Sequence, residues 1–261
     1  MPLDREDISR ELLRLDVPGA IVDDFPDLPM DTSGLLIYGS RARGDAVNGS
    51  DLDALALVRS SKRSVQVGEV SLSFYTAEQL ATGTGTLFGA HLSRDSKIVF
   101  DETGSLSETL RKMGEVNTDR LFSRAHALST LFTTAEMDLP KYLRGLLREA
   151  RYLLRSCLYA RAIAEGRPSF SVRELAVRHN DPDLARLLAS RQVGEPSMAD
   201  LEDCLSRLRT IVGDFPRNPH GSLEATVVNE WGTSSDLLSM AFMALGATGS
   251  ADYAEVEKIL L

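Results

Sequence analysis

The chain has 261 residues, of which 43% are apolar and 26% charged, and its formal net charge at pH 7 is −9. This length and apolar content suffice for a normal hydrophobic core, in one large domain or two small ones. The acidic balance argues against a protein whose main role is to coat nucleic acid, whereas small or cationic substrates remain compatible with it.

The cysteines and the apolar runs bear on the compartment. Cys157 and Cys204 lie in helix-like sequence without metal-ligand spacing around them. We therefore expect a reduced, cytoplasmic protein. Residues 1–14 are charged with a helical period, and no apolar run reaches the roughly 18 residues that a membrane span needs. We expect no signal peptide and no membrane partner.

The first part of the chain predicts alternating helices and strands. Asp4 is a candidate cap for an amphipathic helix that ends before Pro18, and a Pro- and Asp-rich connection follows over 23–33. Apolar runs predict buried strands over 34–38 and 52–58, and period-two alternation predicts a half-buried strand over 69–75. Thr76 begins a capping-box pattern. A short strand over 97–100 and a helix ending at Met113 complete this part.

From Thr118 onward, apolar residues recur at helical spacing and strand patterns are lacking. The sequence thus predicts an α+β protein: a small mixed-sheet domain, residues 1–115, followed by an all-helical domain, residues 116–261. A helical domain of this length commonly supports a homodimer. The predicted helices cover 118–136, 139–165, 171–179, 182–191, 197–212, 223–245 and 251–260.

The most informative segment connects the first two predicted strands. It begins with Gly39 and Ser40, continues with Arg41 and Arg43, and ends before the second strand. Glycine permits a sharp turn and a close approach of the backbone to a ligand, and a serine at a helix start can donate to a phosphate oxygen. The arginines add positive charge. Taken alone, the segment also fits an ordinary strand-turn-helix connection with two solvated arginines.

Two carboxylates follow at short distance. Asp51 and Asp53 are two residues apart at the start of a predicted strand, so their side chains are expected on one face, about 7 Å apart. At that spacing both can reach the same divalent cations. A calcium loop is the rival interpretation, but Asp45, Asn48 and the two aspartates do not fall at EF-hand positions.

This combination resembles the signature of the DNA polymerase β-like nucleotidyltransferases: a Gly-Ser turn, a spaced glycine, and Asp-x-Asp on the next strand. The match covers roughly residues 34–75, and beyond it only the order of a small α/β domain and helices is similar to antibiotic and toxin nucleotidyltransferases. The resemblance implies that Gly39, Ser40, Arg41, Arg43 and Ser50 seat the triphosphate of an NTP, with ATP as the expected donor. It also implies that the two aspartates hold Mg²⁺.

One position departs from the family pattern. Family members usually carry a third carboxylate on a neighbouring strand, which helps to bind the metal and activate the acceptor, and Ser71 stands at that position here. Glu69 lies two residues earlier and is a candidate substitute, although an exposed edge charge is an equal alternative. Glu149 and Glu136, in the predicted helical domain, are fallback candidates for a base.

Basic residues line one side of the long predicted helix at steps of three and four. Acidic side chains of neighbouring helices can neutralise this arginine stripe. Alternatively, members such as Arg148 contact the β- and γ-phosphates, or the stripe carries an RNA acceptor. The stripe consists of Lys141, Arg144, Arg148, Arg151 and Arg155.

The expected function is Mg²⁺-dependent transfer of a nucleoside monophosphate from an NTP to an acceptor hydroxyl, with release of pyrophosphate. The acceptor is left open between a small molecule such as an aminoglycoside, a tRNA and a protein, because acceptor choice is not set by the fold. The alternative is a catalytically weakened nucleotide-binding sensor or regulatory subunit, which Ser71 favours.

Overall fold

The computed structural model describes residues 4–189, 195–233 and 235–246. The chain divides into two compact units, the first ending at Glu115 and the second beginning at Val116. In those ranges, no helix has the length and apolar character needed to cross a bilayer. The helix predicted over 251–260 and the end of the one predicted over 182–191 lie outside the described residues.

The first unit is built on a mixed sheet, across which the strand order is β3-β4-β2-β1-β5. β2 and β4 run parallel, whereas the other neighbouring pairs are antiparallel. Together with the helical second unit, this sheet confirms the predicted α+β class. In chain order the strands are β1 (Thr32–Tyr38), β2 (Leu52–Val58), β3 (Val65–Val67), β4 (Val70–Tyr75) and β5 (Lys97–Asp101).

The helices of the first unit pack around this sheet. Asp4 caps the first of them, accepting a hydrogen bond from the Asp7 amide, and Thr76 and Gln79 form the predicted capping box. Ile8 and Leu12 of the first helix join the apolar core of the sheet. The helices are α1 (Arg5–Arg14), α2 (Gly19–Asp23), α3 (Gly39–Arg43), α4 (Ala77–Ala81), α5 (Leu87–Asp95) and α6 (Ser105–Arg111). Neither α2 nor α5 nor the short β3 was predicted.

The second unit is helical throughout its described residues. Its central helix, α9, is buried on most sides, and α7, α12 and α14 pack against it. Cys157 on α9 and Cys204 on α12 are buried free thiols, and burial raises the pKa of each to about 12. The helices are α7 (Thr118–Leu128), α8 (Asp138–Lys141), α9 (Leu143–Ala164), α10 (Val172–Arg178), α11 (Pro182–Leu187), α12 (Met198–Val212), α13 (Leu223–Glu230) and α14 (Asp236–Leu245).

Three predicted long helices are wrong in extent. The one over 223–245 is two helices, because Gly232 adopts a left-handed φ of +88° and Ser235 caps a new helix. The one over 118–136 ends as a 3-10 turn at Phe132, after which the Thr133 hydroxyl donates to backbone carbonyls, an alternative to helical bonding. The one over 139–165 is interrupted at Tyr142.

Candidate active site

Strand register brings the two parts of the signature together. β1 ends at Tyr38, which lies opposite Asp53 of antiparallel β2. Gly39 follows at once, so the chain passes the Asp53 carboxylate as it leaves the sheet. Gly39 has a φ of +74°, and a Cβ atom on it would lie 2.5 Å from Asp53 Oδ2. The backbone conformation therefore favours glycine, and any other residue would also have to displace the Asp53 carboxylate.

Asp53 is the second residue of β2, and Asp51 directly precedes that strand. On its other side, Asp53 lies opposite Ser71 of parallel β4. The β4 residue beside Asp53 is thus a serine. It is the residue that the resemblance places where family members usually carry a third carboxylate.

The carboxylate oxygens at the start of β2 fit a hard divalent cation. Carboxylates are the protein ligands that Mg²⁺ prefers, usually one or two of them completed by water and substrate phosphate. Because Gly39 has no Cβ, the Asp53 carboxylate can lie directly against the turn. Among the described residues, no group of three or more His, Cys, Asp or Glu side chains is arranged to hold a metal. A cation here would depend on Asp51, Asp53 and its substrate.

Glu69 lies in the turn between β3 and β4 rather than on β4, which begins one residue later. Alternation places side chains on one face only within a strand, and Glu69 is outside β4. It therefore does not put the Glu69 side chain on the face of Ser71. Its carboxylate pairs with Arg41 at 3.2 Å. The proposed catalytic role of Glu69 stays a prediction.

Arg41 points into the protein. One of its terminal nitrogens, Nη2, donates to the Ser50 carbonyl at 2.5 Å and to Glu69 Oε2. Its side chain is only 10% exposed. The residue that the resemblance assigns to the triphosphate is thus engaged with two other segments of its own unit.

Arg43 is held by a second polar cluster near the C-terminal end of α5. Its guanidinium lies 3.2 Å from Asp45 Oδ1, 3.4 Å from Asp95 Oδ2 and 3.1 Å from His91 Nε2. Burial, followed by Arg43 and Arg94, lowers the pKa of His91 to about 3. The imidazole is therefore neutral at pH 7, and its Nε2 accepts from Arg43, which places the ring proton on Nδ1.

Asp95 anchors this cluster. Its side chain is 6% exposed, and burial raises the pKa of its carboxyl, an effect that Arg43 and Arg94 partly offset. Neither His91 nor Asp95 was predicted as part of the candidate site. They are four residues apart, so a helical interpretation of 87–95 would have placed them on one face.

The serines of the signature differ in their surroundings. The Ser40 hydroxyl, in α3, makes no hydrogen bond to another described residue. The Ser50 hydroxyl accepts a bond from the Val47 amide at 2.9 Å, so it closes the loop before β2. Ser40 therefore has donor capacity for a ligand, whereas Ser50 already has a structural contact.

Each member of the arginine stripe has a partner within the second unit, which favours the interpretation that neighbouring groups neutralise the stripe. Arg148 also donates to the Met243 carbonyl at 2.6 Å. Its predicted contact with phosphates is not tested by this geometry. The pairs are Lys141 with Glu224, Arg144 with Glu195, Arg148 with Glu149, Arg151 with Asp200, and Arg155 with the Leu188 carbonyl.

The two fallback bases lie in different environments. Glu149 is fully buried on α9, and burial raises the pKa of its carboxyl to about 7 although Arg148 opposes the shift. Its Oε2 has no hydrogen-bond partner. Glu136 is exposed in the turn before α8. The two candidates thus differ in burial.

No family model matches the chain, and no curated protein matches its sequence. Among solved structures, it is similar to a nucleotidyltransferase-like protein from Exiguobacterium sibiricum 255-15, with 17% identity and a TM-score of 0.31. The alignment covers 70% of this chain and 69% of that one. The functional argument therefore depends on the site itself.

Proposed function

We propose that the protein is a Mg²⁺-dependent nucleotidyltransferase that transfers a nucleoside monophosphate from an NTP, with ATP as donor, to an acceptor hydroxyl. The first unit would be the catalytic domain and the second the substrate-binding domain. The observation that carries the proposal is the contact between Gly39 of the turn and the Asp53 carboxylate. A Cβ on Gly39 would lie 2.5 Å from Asp53 Oδ2, so the two parts of the signature are in contact.

In this proposal Asp51 and Asp53 hold the cation. When bound, Mg²⁺ would offset charge on the triphosphate and on the leaving group. The Ser40 hydroxyl donates to a phosphate oxygen, and Gly39 lets the backbone approach the phosphates closely. The two aspartates at the start of β2 would repel a polyanionic substrate. A cation between them and the triphosphate is therefore necessary for the substrate to bind here.

The reaction balances without a covalent enzyme intermediate. The acceptor oxygen forms a bond to the α-phosphorus of the NTP, and the bond from that phosphorus to the bridging oxygen of the β-phosphate breaks. Pyrophosphate leaves, and the proton of the acceptor hydroxyl passes to water.

The assay for this reaction is pyrophosphate release from NTPs with Mg²⁺ in a cell extract that supplies acceptors. Asp53→Asn is expected to reduce release at least a hundredfold, because it removes a negatively charged ligand of the proposed cation. Asp27→Asn is the matched control, since Asp27 is an exposed surface partner of Arg5. Undiminished release by Asp53→Asn would refute the assignment.

The acceptor is identified in the same extract. With [α-³²P]ATP, transferred label is separated into small molecules, RNA and protein. An aminoglycoside-like polycation would suit the acidic chain. A tRNA or protein acceptor would give label in the macromolecular fractions.

A second candidate function is nucleotide binding without transfer, as in a sensor or regulatory subunit. The observation in its favour is Ser71 opposite Asp53, with the nearby carboxylate of Glu69 paired to Arg41. Calorimetry that shows NTP binding, together with no release of pyrophosphate on any acceptor fraction, would support this function over the first.

A further inference from the structure

We propose that Arg41 is a positioning residue that fixes the backbone on both sides of Asp51, rather than a ligand of the triphosphate. The link from this position to cation binding rests on the proposed function. The contacts themselves do not depend on it, because they join α3, the start of β2 and the turn before β4 within the first unit.

Three hydrogen bonds form a closed ring around Asp51. Arg41 Nη2 donates to the carbonyl of Ser50, the residue before Asp51. The amide of Leu52, the residue after it, donates to the Glu69 carbonyl at 2.7 Å. Arg41 and Glu69 are themselves joined through the Glu69 carboxylate. The Ser50 carbonyl and the Leu52 amide, on either side of Asp51, are therefore both held by Arg41 and Glu69.

Charge and burial argue against phosphate binding by Arg41. Its guanidinium is mostly buried and already has an anionic partner in Glu69. A triphosphate would have to displace that carboxylate to reach it.

The side-chain type fits the positioning role. Arginine presents several N–H groups from a rigid planar group, so one residue can reach a carbonyl and a carboxylate together. Lysine carries its ammonium on a flexible stem without that planar group, so its nitrogen is not held at the position of Nη2. Arg41→Lys therefore keeps the charge while it disturbs the ring, which separates positioning from simple electrostatic attraction.

The test uses the full chain with Arg41→Lys and, as matched control, Arg10→Lys, since Arg10 is an exposed arginine on the first helix. A third variant, Glu69→Gln, removes the carboxylate charge but keeps an acceptor oxygen. Hydrogen exchange of the Leu52 amide reports the ring directly, with the Leu55 amide in mid-strand as internal reference. Mn²⁺ binding followed by electron paramagnetic resonance reports the cation site, and ATP binding without metal reports phosphate contacts.

For Arg41→Lys, exchange at Leu52 is expected to be about tenfold faster with Leu55 unchanged, and Mn²⁺ binding about tenfold weaker, equivalent to about 1.4 kcal/mol. Metal-free ATP binding should change less than twofold. Arg10→Lys should change each quantity less than twofold. If Arg41→Lys does not fold, Glu69→Ala removes the carboxylate anchor instead and should give the same pattern.

Unchanged exchange at Leu52 in Arg41→Lys would overturn the inference, as would weaker metal-free ATP binding with Mn²⁺ binding intact. Loss of Mn²⁺ binding in Glu69→Gln with Leu52 still protected would make Glu69 a metal ligand and also overturn it. Faster exchange at Leu52 in a protein that binds no Mn²⁺, wild type included, would support the ring and reject the proposed function.

Discussion

Replacing Gly39 by alanine tests the contact on which the proposed site depends. A left-handed φ costs a residue with a side chain about 1–2 kcal/mol, and Gly39 has a φ of +74°. The new Cβ would also lie 2.5 Å from Asp53 Oδ2, so the carboxylate would have to move. Overpacking of this kind costs about 1–3 kcal/mol. Gly39→Ala is therefore expected to lower the free energy of unfolding by about 2–5 kcal/mol.

Gly44→Ala is the matched control, because Gly44 ends the same short helix with a φ of +81° but would meet nothing within 4 Å. It should lose only the conformational part, about 1–2 kcal/mol. Urea unfolding followed by far-ultraviolet circular dichroism measures both, and Mn²⁺ binding should weaken in Gly39→Ala alone. Equal destabilisation of the two variants, with equal Mn²⁺ binding, would refute the close approach of the turn to Asp53.

Three further changes test other parts of the structure. Gly145→Ala would place a Cβ against the Ala244 carbonyl, so thermal unfolding should show a loss of about 1–3 kcal/mol. Gly19→Ala is the control, because its Cβ meets nothing within 4 Å and its φ is not left-handed, and equal losses would contradict the packing. Since the pKa of Glu149 is raised to about 7, its folded form binds more protons than the unfolded one, and stability should fall as pH rises from about 4.5 to 7. Glu149→Gln should abolish that fall in urea titrations at each pH, and a persistent slope would assign it to other groups. Ser71→Asp adds a carboxylate next to the second signature aspartate and should raise pyrophosphate release about 10–100-fold if a missing acid limits turnover; unchanged release would show that it does not.

Sequence alone predicted those parts of the fold whose cause is local. The caps at Asp4 and Thr76 and the buried strands β1 and β2 depend on neighbouring residues and on apolar runs, and all are confirmed. The extent of the long helices was wrong where a tertiary contact or a single residue outweighed the periodicity. Gly232 ended one helix within an apolar stretch that reads as continuous, because backbone conformation is not visible in hydrophobic spacing.

The same distinction between local and long-range causes applies to the candidate site. The sequence predicted that the turn and the carboxylates are close, which follows from two strands joined by a short connection. It did not predict the partners of Arg41 or Arg43, because those partners come from a turn 28 residues away and from a helix about 50 residues away. Long-range pairing of this kind depends on strand order, and a single sequence carries no direct signal for it.

Burial changes what the two arginines of the signature do. Their side chains are 10% and 18% exposed, and each already has a carboxylate partner, Glu69 for Arg41 and Asp45 with Asp95 for Arg43. A phosphate would have to displace these carboxylates to reach either guanidinium. In the proposed function, recognition of phosphate therefore falls to the Ser40 hydroxyl, the backbone at Gly39 and the cation that the aspartates would hold.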